Sequence, residues 1–167
     1  MAPLAGHGRR IDILVDLVKA MLRYQGREWD SSHPITLKRS RSAGAEPGAC
    51  FYIQNWQAML GKERIDLSQD PPPDLAIEMD LTSPTDLEIY QILGVPELWI
   101  YRQQVLSIYV LTAAGYEEQT TSPTFSSVDV KRQLPRYVER SWIAGSSVAL
   151  REFEQFLQES GAGGMGR

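Results

Sequence analysis

The run Asp70-Pro71-Pro72-Pro73-Asp74-Leu75-Ala76-Ile77-Glu78-Met79-Asp80-Leu81-Thr82-Ser83-Pro84, followed closely by Leu93-Gly94-Val95-Pro96-Glu97-Leu98-Trp99-Ile100-Tyr101, decides the fold of this chain. The three prolines hold the chain extended on entry. From Leu75 to Leu81 the sequence alternates. Leu75, Ile77, Met79 and Leu81 share one face of a strand, and Asp74, Ala76, Glu78 and Asp80 share the other. Ser83 reads as a helix N-cap, with Pro84 in the first turn and Gly94 as the stop. A second apolar strand begins at Glu97. Strand, helix and strand in this order predict a βαβ unit, and its acids invite two readings. At a rise of about 3.3 Å per residue, Glu78 and Asp80 stand roughly 7 Å apart, close enough to turn onto one hydrated cation, while Asp74 lies about 13 Å from Glu78. The plainer reading is a polar strand face that meets solvent.

Working outward, Ile11, Leu14, Val15, Leu17, Val18, Met21 and Leu22 fall at helical spacing, and Gly26 is placed to end that helix. Short strands are expected at 27–30, 35–39 and 49–53. They are separated by Ser31-Ser32-His33-Pro34 and by a polar loop over 40–48. One or two helical turns are expected over 55–60. After Tyr101, a turn at Arg102-Gln103-Gln104 leads into strands over 105–111 and 116–120, and helices over 135–144 and 147–159 close the chain. These elements predict an α/β (α+β) class, one domain over 1–160 and a disordered glycine-rich tail over 161–167.

Several of these segments, in their order and spacing, carry a resemblance. They are His7-Gly8, Gly44-Ala45-Glu46-Pro47, Cys50-Phe51-Tyr52-Ile53, Pro72 to Glu78, Thr82-Ser83-Pro84, Ile89-Tyr90 and Leu93 to Tyr101. Together they are similar to the Uma2 (DUF820) family, endonucleases of the PD-(D/E)XK restriction-endonuclease-like superfamily that are expanded in cyanobacteria. The resemblance implies a restriction-endonuclease-like core, a central mixed sheet flanked by helices. It also implies a hydrolase in which Mg²⁺ or Mn²⁺, held between two strands, serves phosphodiester cleavage. The resemblance implies Glu78 and one acid from the strand after Glu46-Pro47 as ligands; with Asp80 added from its place beside Glu78 on the strand face, Glu78, Asp80 and Glu46 are the candidate metal ligands, and Glu78, Asp80 and Lys38 the candidate catalytic residues. The partner is nucleic acid, DNA ahead of RNA, with Lys38 and Arg39 touching phosphate.

The sequence departs from that family at three points. Gly48 stands where the family has aspartate, so the site is expected to be weakened and Gly48→Asp to strengthen it. Asp80 stands where the superfamily has lysine, and Lys38 is the candidate replacement. Six residues precede His7 where relatives carry a further strand, which predicts a missing amino-terminal sheet edge and a possible homodimer. The alternative function is an inactive nuclease fold that serves as a nucleic-acid-binding or protein-interaction module.

Composition bounds these readings. The chain has 167 residues, 43% hydrophobic and 23% charged, enough for one ordinary core. With no long apolar run and no leader, a cytoplasmic protein without a membrane span is expected. Charge is unevenly placed. Residues 1–41 hold eight Lys or Arg against four acids, 42–100 hold two against ten, and 101–167 hold seven of each, which sums to the net −4. A lone cysteine, Cys50, reads as a buried thiol. His7 and His33 lack cysteine partners, which argues against zinc, and His7 reads as a helix-start residue. Trp29, Trp56, Trp99 and Trp142 read as core. Phosphate-loop, Gly-x-Ser-x-Gly and Cys-x-x-Cys motifs are absent from the sequence, which removes nucleotide-loop, serine-hydrolase and redox classes.

Overall fold

The computed structural model describes residues 5–33, 35–80 and 83–161. Pro34, Leu81 and residues 162–167, on which parts of the turn, strand and tail expectations rest, lie outside them. Helix α1 (Ala5–Tyr24) buries nine apolar side chains along one stripe. It ends as the spacing predicts, with Gly26 at φ +65° and Arg27 N–H returning 3.0 Å to the Leu22 carbonyl. Because Arg27 N–H is held there and its Nη1 donates to Thr124 O at 2.8 Å, the first strand starts later than expected, as β1 (Asp30–Ser32).

Strands β2 (Leu37–Arg39) and β3 (Ala43–Ala45) form a separate two-stranded ribbon, with Lys38 opposite Gly44. The third strand of the expected set is β4 (Ala49–Tyr52), followed by a single 3-10 turn over Trp56–Met59. Then come β5 (Leu75–Met79), α2 (Leu87–Leu93), β6 (Glu97–Arg102), β7 (Val105–Thr112) and β8 (Gly115–Gln119). The main sheet has the order β1-β4-β5-β6-β7-β8, antiparallel except for the parallel β5–β6 pair that α2 connects. Helices α3 (Val130–Ala144) and α4 (Ser146–Ser160) complete the fold.

Three expectations are corrected. Lys38, the candidate replacement for the superfamily lysine, does not lie on a strand beside β4: β1 takes that edge, pairing Asp30 with Tyr52, and β2 pairs with its own hairpin partner. Helix α2 starts at Leu87 rather than Pro84, because Asp80 holds Thr85 and the side chain of Asp86 caps Glu88 N–H at 3.0 Å. Helix α3 starts at Val130, capped by Asp129, so Pro135 sits inside it. The tryptophans also divide. Trp99 is fully buried, while Trp142 is 47% exposed.

Both faces of β5 are covered. Leu75, Ile77 and Met79 pack with α1, α3 and α4, while Ala76 packs with Leu98, Ile100 and the Tyr90 and Leu93 of α2. The acid-bearing face of β5 therefore forms the edge of a second apolar layer, and the solvent-facing reading of Glu78 does not hold. No helix among the described residues is long and apolar enough to cross a membrane.

Candidate functional site

Where the β5–β6 pair ends and the chain turns toward α2, the second layer opens into a cleft of about 450 Å³. This is the carboxyl end of parallel strands, where open α/β sheets present their ligand crevices. Glu78 enters it from β5, half-buried, and accepts a hydrogen bond from the Tyr90 hydroxyl of α2. Burial raises the Glu78 pKa above the ordinary glutamate value. The Tyr90 hydrogen bond opposes this, and the neighbouring charge of Asp80 adds to it. The same burial, with Glu78 beside it, drives the Tyr90 phenol far up, so Tyr90 stays a donor.

Asp80 is differently placed. Its Oδ2 accepts from Thr85 N at 3.0 Å, and its Oδ1 accepts from the Thr85 hydroxyl. Both oxygens therefore fasten the segment before α2. Glu46 follows β3 on the opposite wall, exposed, with Oε1 accepting from Thr36 Oγ1 at 3.2 Å. His7, in the first turn of α1, closes a third side, and its Nδ1 is buried without a hydrogen-bond partner among the described residues. Asp86 adds a fourth carboxylate. No Lys or Arg lines the cleft among the described residues.

The structure thus brings together Glu46, Glu78 and Asp80 of the sequence-based set. Lys38 it places elsewhere. Lys38 lines a neighbouring groove with Lys62, Glu63 and Arg64 and is not among the residues of the acidic cleft. Arg39 turns to the end of α2, where a Cβ on Gly94 would stand 3.8 Å from its Nη2, and its Nε is buried without a hydrogen-bond partner among the described residues. Gly48 directly precedes β4, whose Ala49 pairs with Ile77 of β5. A Cβ there would stand 3.1 Å from Cδ1 of Ile11 on α1 and 3.3 Å from the Ile77 carbonyl, so an aspartate at this position requires the Ile11 side chain to give way.

Asp74, at the other end of β5, accepts from Ile53 N at 2.6 Å and Gln54 N at 3.1 Å, a structural lock for β4. Sequence reasoning missed His7 and Tyr90 as members of the cleft. Each stood in a quoted segment, His7-Gly8 and Ile89-Tyr90, but neither spacing nor polarity linked them to β5. Among the described residues, no three His, Cys, Asp or Glu side chains converge closely enough to hold a metal ion.

Comparison with known proteins gives the family and the fold. The model of the Uma2 family, described as a putative restriction endonuclease, matches residues 1–142. A crystal structure of a putative nuclease belonging to DUF820 from Anabaena variabilis ATCC 29413 superposes with a TM-score of 0.56 at 14% identity, over 83% of this chain and 84% of that one. At that identity the likeness shows the fold. No curated protein matches the chain significantly.

Proposed function

The chain belongs to the Uma2 family, and on that premise we propose that the cleft at the end of β5 is the centre of a metal-dependent endonuclease acting on nucleic-acid phosphodiesters, DNA ahead of RNA. The observation that carries this reading is the cleft's charge. Four carboxylates, those of Glu46, Glu78, Asp80 and Asp86, face a space with no Lys or Arg on its described walls. Such a space favours a cation, and a phosphate enters it only with one.

The donors suit a hard divalent ion in kind, while their placement favours two of the acids. Glu46 and Glu78 have oxygens to offer, whereas Asp80 has both oxygens on Thr85. Glu46 and Glu78 would hold Mg²⁺ or Mn²⁺, which when bound supplies Lewis acidity and an acidified water. Tyr90 positions Glu78 by holding Oε1 toward α2, and Asp80 positions the loop that borders the cleft. Lys38, with Lys62 and Arg64 in the neighbouring groove, would meet phosphates flanking the scissile one, a rim role rather than the in-site role expected of it. Self-association through β1, a three-residue edge strand, is the corresponding proposal for assembly.

A specific observation supports the second reading, a nuclease fold that binds without cutting: the described acidic groups do not converge on one point. Cleavage of supercoiled plasmid and of single-stranded DNA with Mg²⁺ or Mn²⁺ separates the two. The nuclease reading predicts cleavage by the parent and at least a roughly hundredfold loss in Glu78→Gln. Parent protein that binds DNA but leaves it intact with either ion would establish the binding module instead.

A further inference from the structure

The first turn of α1 has two sides. His7 faces the acidic cleft, and Gly6 lies against Trp142 at the end of α3, so close that a Cβ on Gly6 would stand 3.3 Å from the indole ring. The guanidinium groups of Arg9 and Arg10 lie 5.1 Å and 4.4 Å from the centre of that ring. Arg10 also reaches Glu139 at 3.4 Å, which in turn accepts from the Tyr101 hydroxyl at the end of β6. Arg9 is exposed and has no carboxylate partner among the described residues. Next to them, Trp142 is 47% exposed and Ile143 81% exposed. Folding does not account for two large apolar side chains left side by side in water, and a rimmed apolar patch marks a docking surface.

We propose that Trp142, Ile143 and Arg9 form a docking strip for an unpaired stretch of nucleic acid, beside the cleft and leading into it. The charge selects the partner. Around the strip stand Arg9, Arg10, Arg136 and Arg140 against Glu139 and Glu152, a surplus of two positive charges next to an acidic cleft. An anionic ligand is favoured at the strip and repelled by an empty cleft. The apolar element selects the form of that ligand. Exposed indole and aliphatic surface gives unstacked bases something to lie on, which a duplex with its bases stacked inside cannot use. Stacking on Trp142 also keeps the arginines extended near the surface, with Arg9 available to phosphate. Arg10 stands one helical turn from His7, so the strip and the acidic cleft share the amino-terminal turns of α1, and a strand bound at the strip has the cleft at its flank. The inference rests on the nuclease reading for the strand's destination, but its test reads binding, not cleavage.

The test is fluorescence anisotropy of a labelled oligothymidylate and of a blunt duplex, titrated with full-length protein in EDTA at several salt concentrations. The parent should prefer the single strand. Trp142→Ala should weaken that binding roughly tenfold or more, and Arg9→Gln should reduce the salt slope by about 0.7. If Trp142→Ala melts early, Arg9→Gln, altered only at an exposed charge, still decides. Parent-like affinity and slope in both variants overturn the proposal, as does a parent preference for duplex. Ile143→Ser abolishing self-association while leaving oligonucleotide binding intact would make the patch a contact between copies of the chain, which also overturns it. Binding by the strip without any cleavage by the parent leaves this inference standing and removes the nuclease reading alone.

Discussion

At the amino-terminal end of the β5–β6 pair, Asp74 and Glu97 each accept several hydrogen bonds from protein donors, whereas at the carboxyl end Glu78 accepts one and faces the larger cleft. Asp74 holds two backbone N–H groups of the chain leaving β4. Glu97, opposite Leu75 in the parallel register and only 2% exposed, accepts from Trp99 Nε1 at 2.8 Å, from the Ser122 hydroxyl, and from the amide and hydroxyl of Thr124. Glu78, at the other end, has one phenol donor, a raised pKa and a cleft in front of it. Glu97 is the more buried of the two, yet four donors meet its carboxylate where a single phenol meets that of Glu78. Burial alone thus does not single out the acid proposed to hold the metal. Burial with few donors does, because an under-satisfied carboxylate is the one left to bind something else.

The contrast is open to direct attack. The largest effect expected is at Glu97. Glu97→Ala leaves the donors of Trp99, Ser122 and Thr124 unpaired inside the protein and should cost about 4 kcal/mol in urea unfolding. A loss well under 1 kcal/mol would show that those donors find water, and the two ends would no longer differ in kind. Next comes Gly48→Asp, which forces a side chain against Ile11 and should cost about 2 kcal/mol without improving Mn²⁺ affinity. Tighter Mn²⁺ binding by this variant would return Gly48 to the site and redraw the carboxyl end. The smallest effect is at Tyr90. Its hydroxyl lowers the Glu78 pKa, so Tyr90→Phe should raise that pKa further. Protons then compete with the metal at higher pH, and the acid limb of Mn²⁺ binding should move upward. A limb that stays put or moves down would mean that Glu78 is not the titrating ligand.

How much of this was legible in the sequence differs between fold and site. The β5–α2–β6 unit was readable because prolines, strict alternation and Gly94, which sits at φ +78°, are all local signals. Strand β3 was not, since Ala43-Gly44-Ala45 has no bulky side chain to announce a strand, and only its pairing with β2 makes it one. The start of α2 differs from the expectation because hydrogen bonds from Thr85 back to Asp80, together with the Asp86 cap, outweigh the preference of Ser83 and Pro84. In the site, Glu78 and Asp80 were found through spacing and Glu46 through family resemblance. Their different engagement depends on Tyr90 and Thr85, partners that periodicity does not reveal. His7 reaches the cleft only because α1 packs across the sheet. Lys38 was drawn into the site by assuming that neighbours in sequence pair in order, whereas the ribbon turns it into the adjacent groove.

The central claim is that the two ends of β5 divide structure from function, and one paired measurement tests it most directly: calorimetric titration of Mn²⁺ into Asp74→Ala and Glu78→Ala, with a thermal melt of each. The account predicts that Asp74→Ala keeps the parent's Mn²⁺ affinity while losing about 2 kcal/mol of stability through its freed backbone donors. Glu78→Ala should lose Mn²⁺ binding while melting close to the parent. Equal loss of Mn²⁺ affinity in both variants, or undiminished binding by Glu78→Ala, would contradict it.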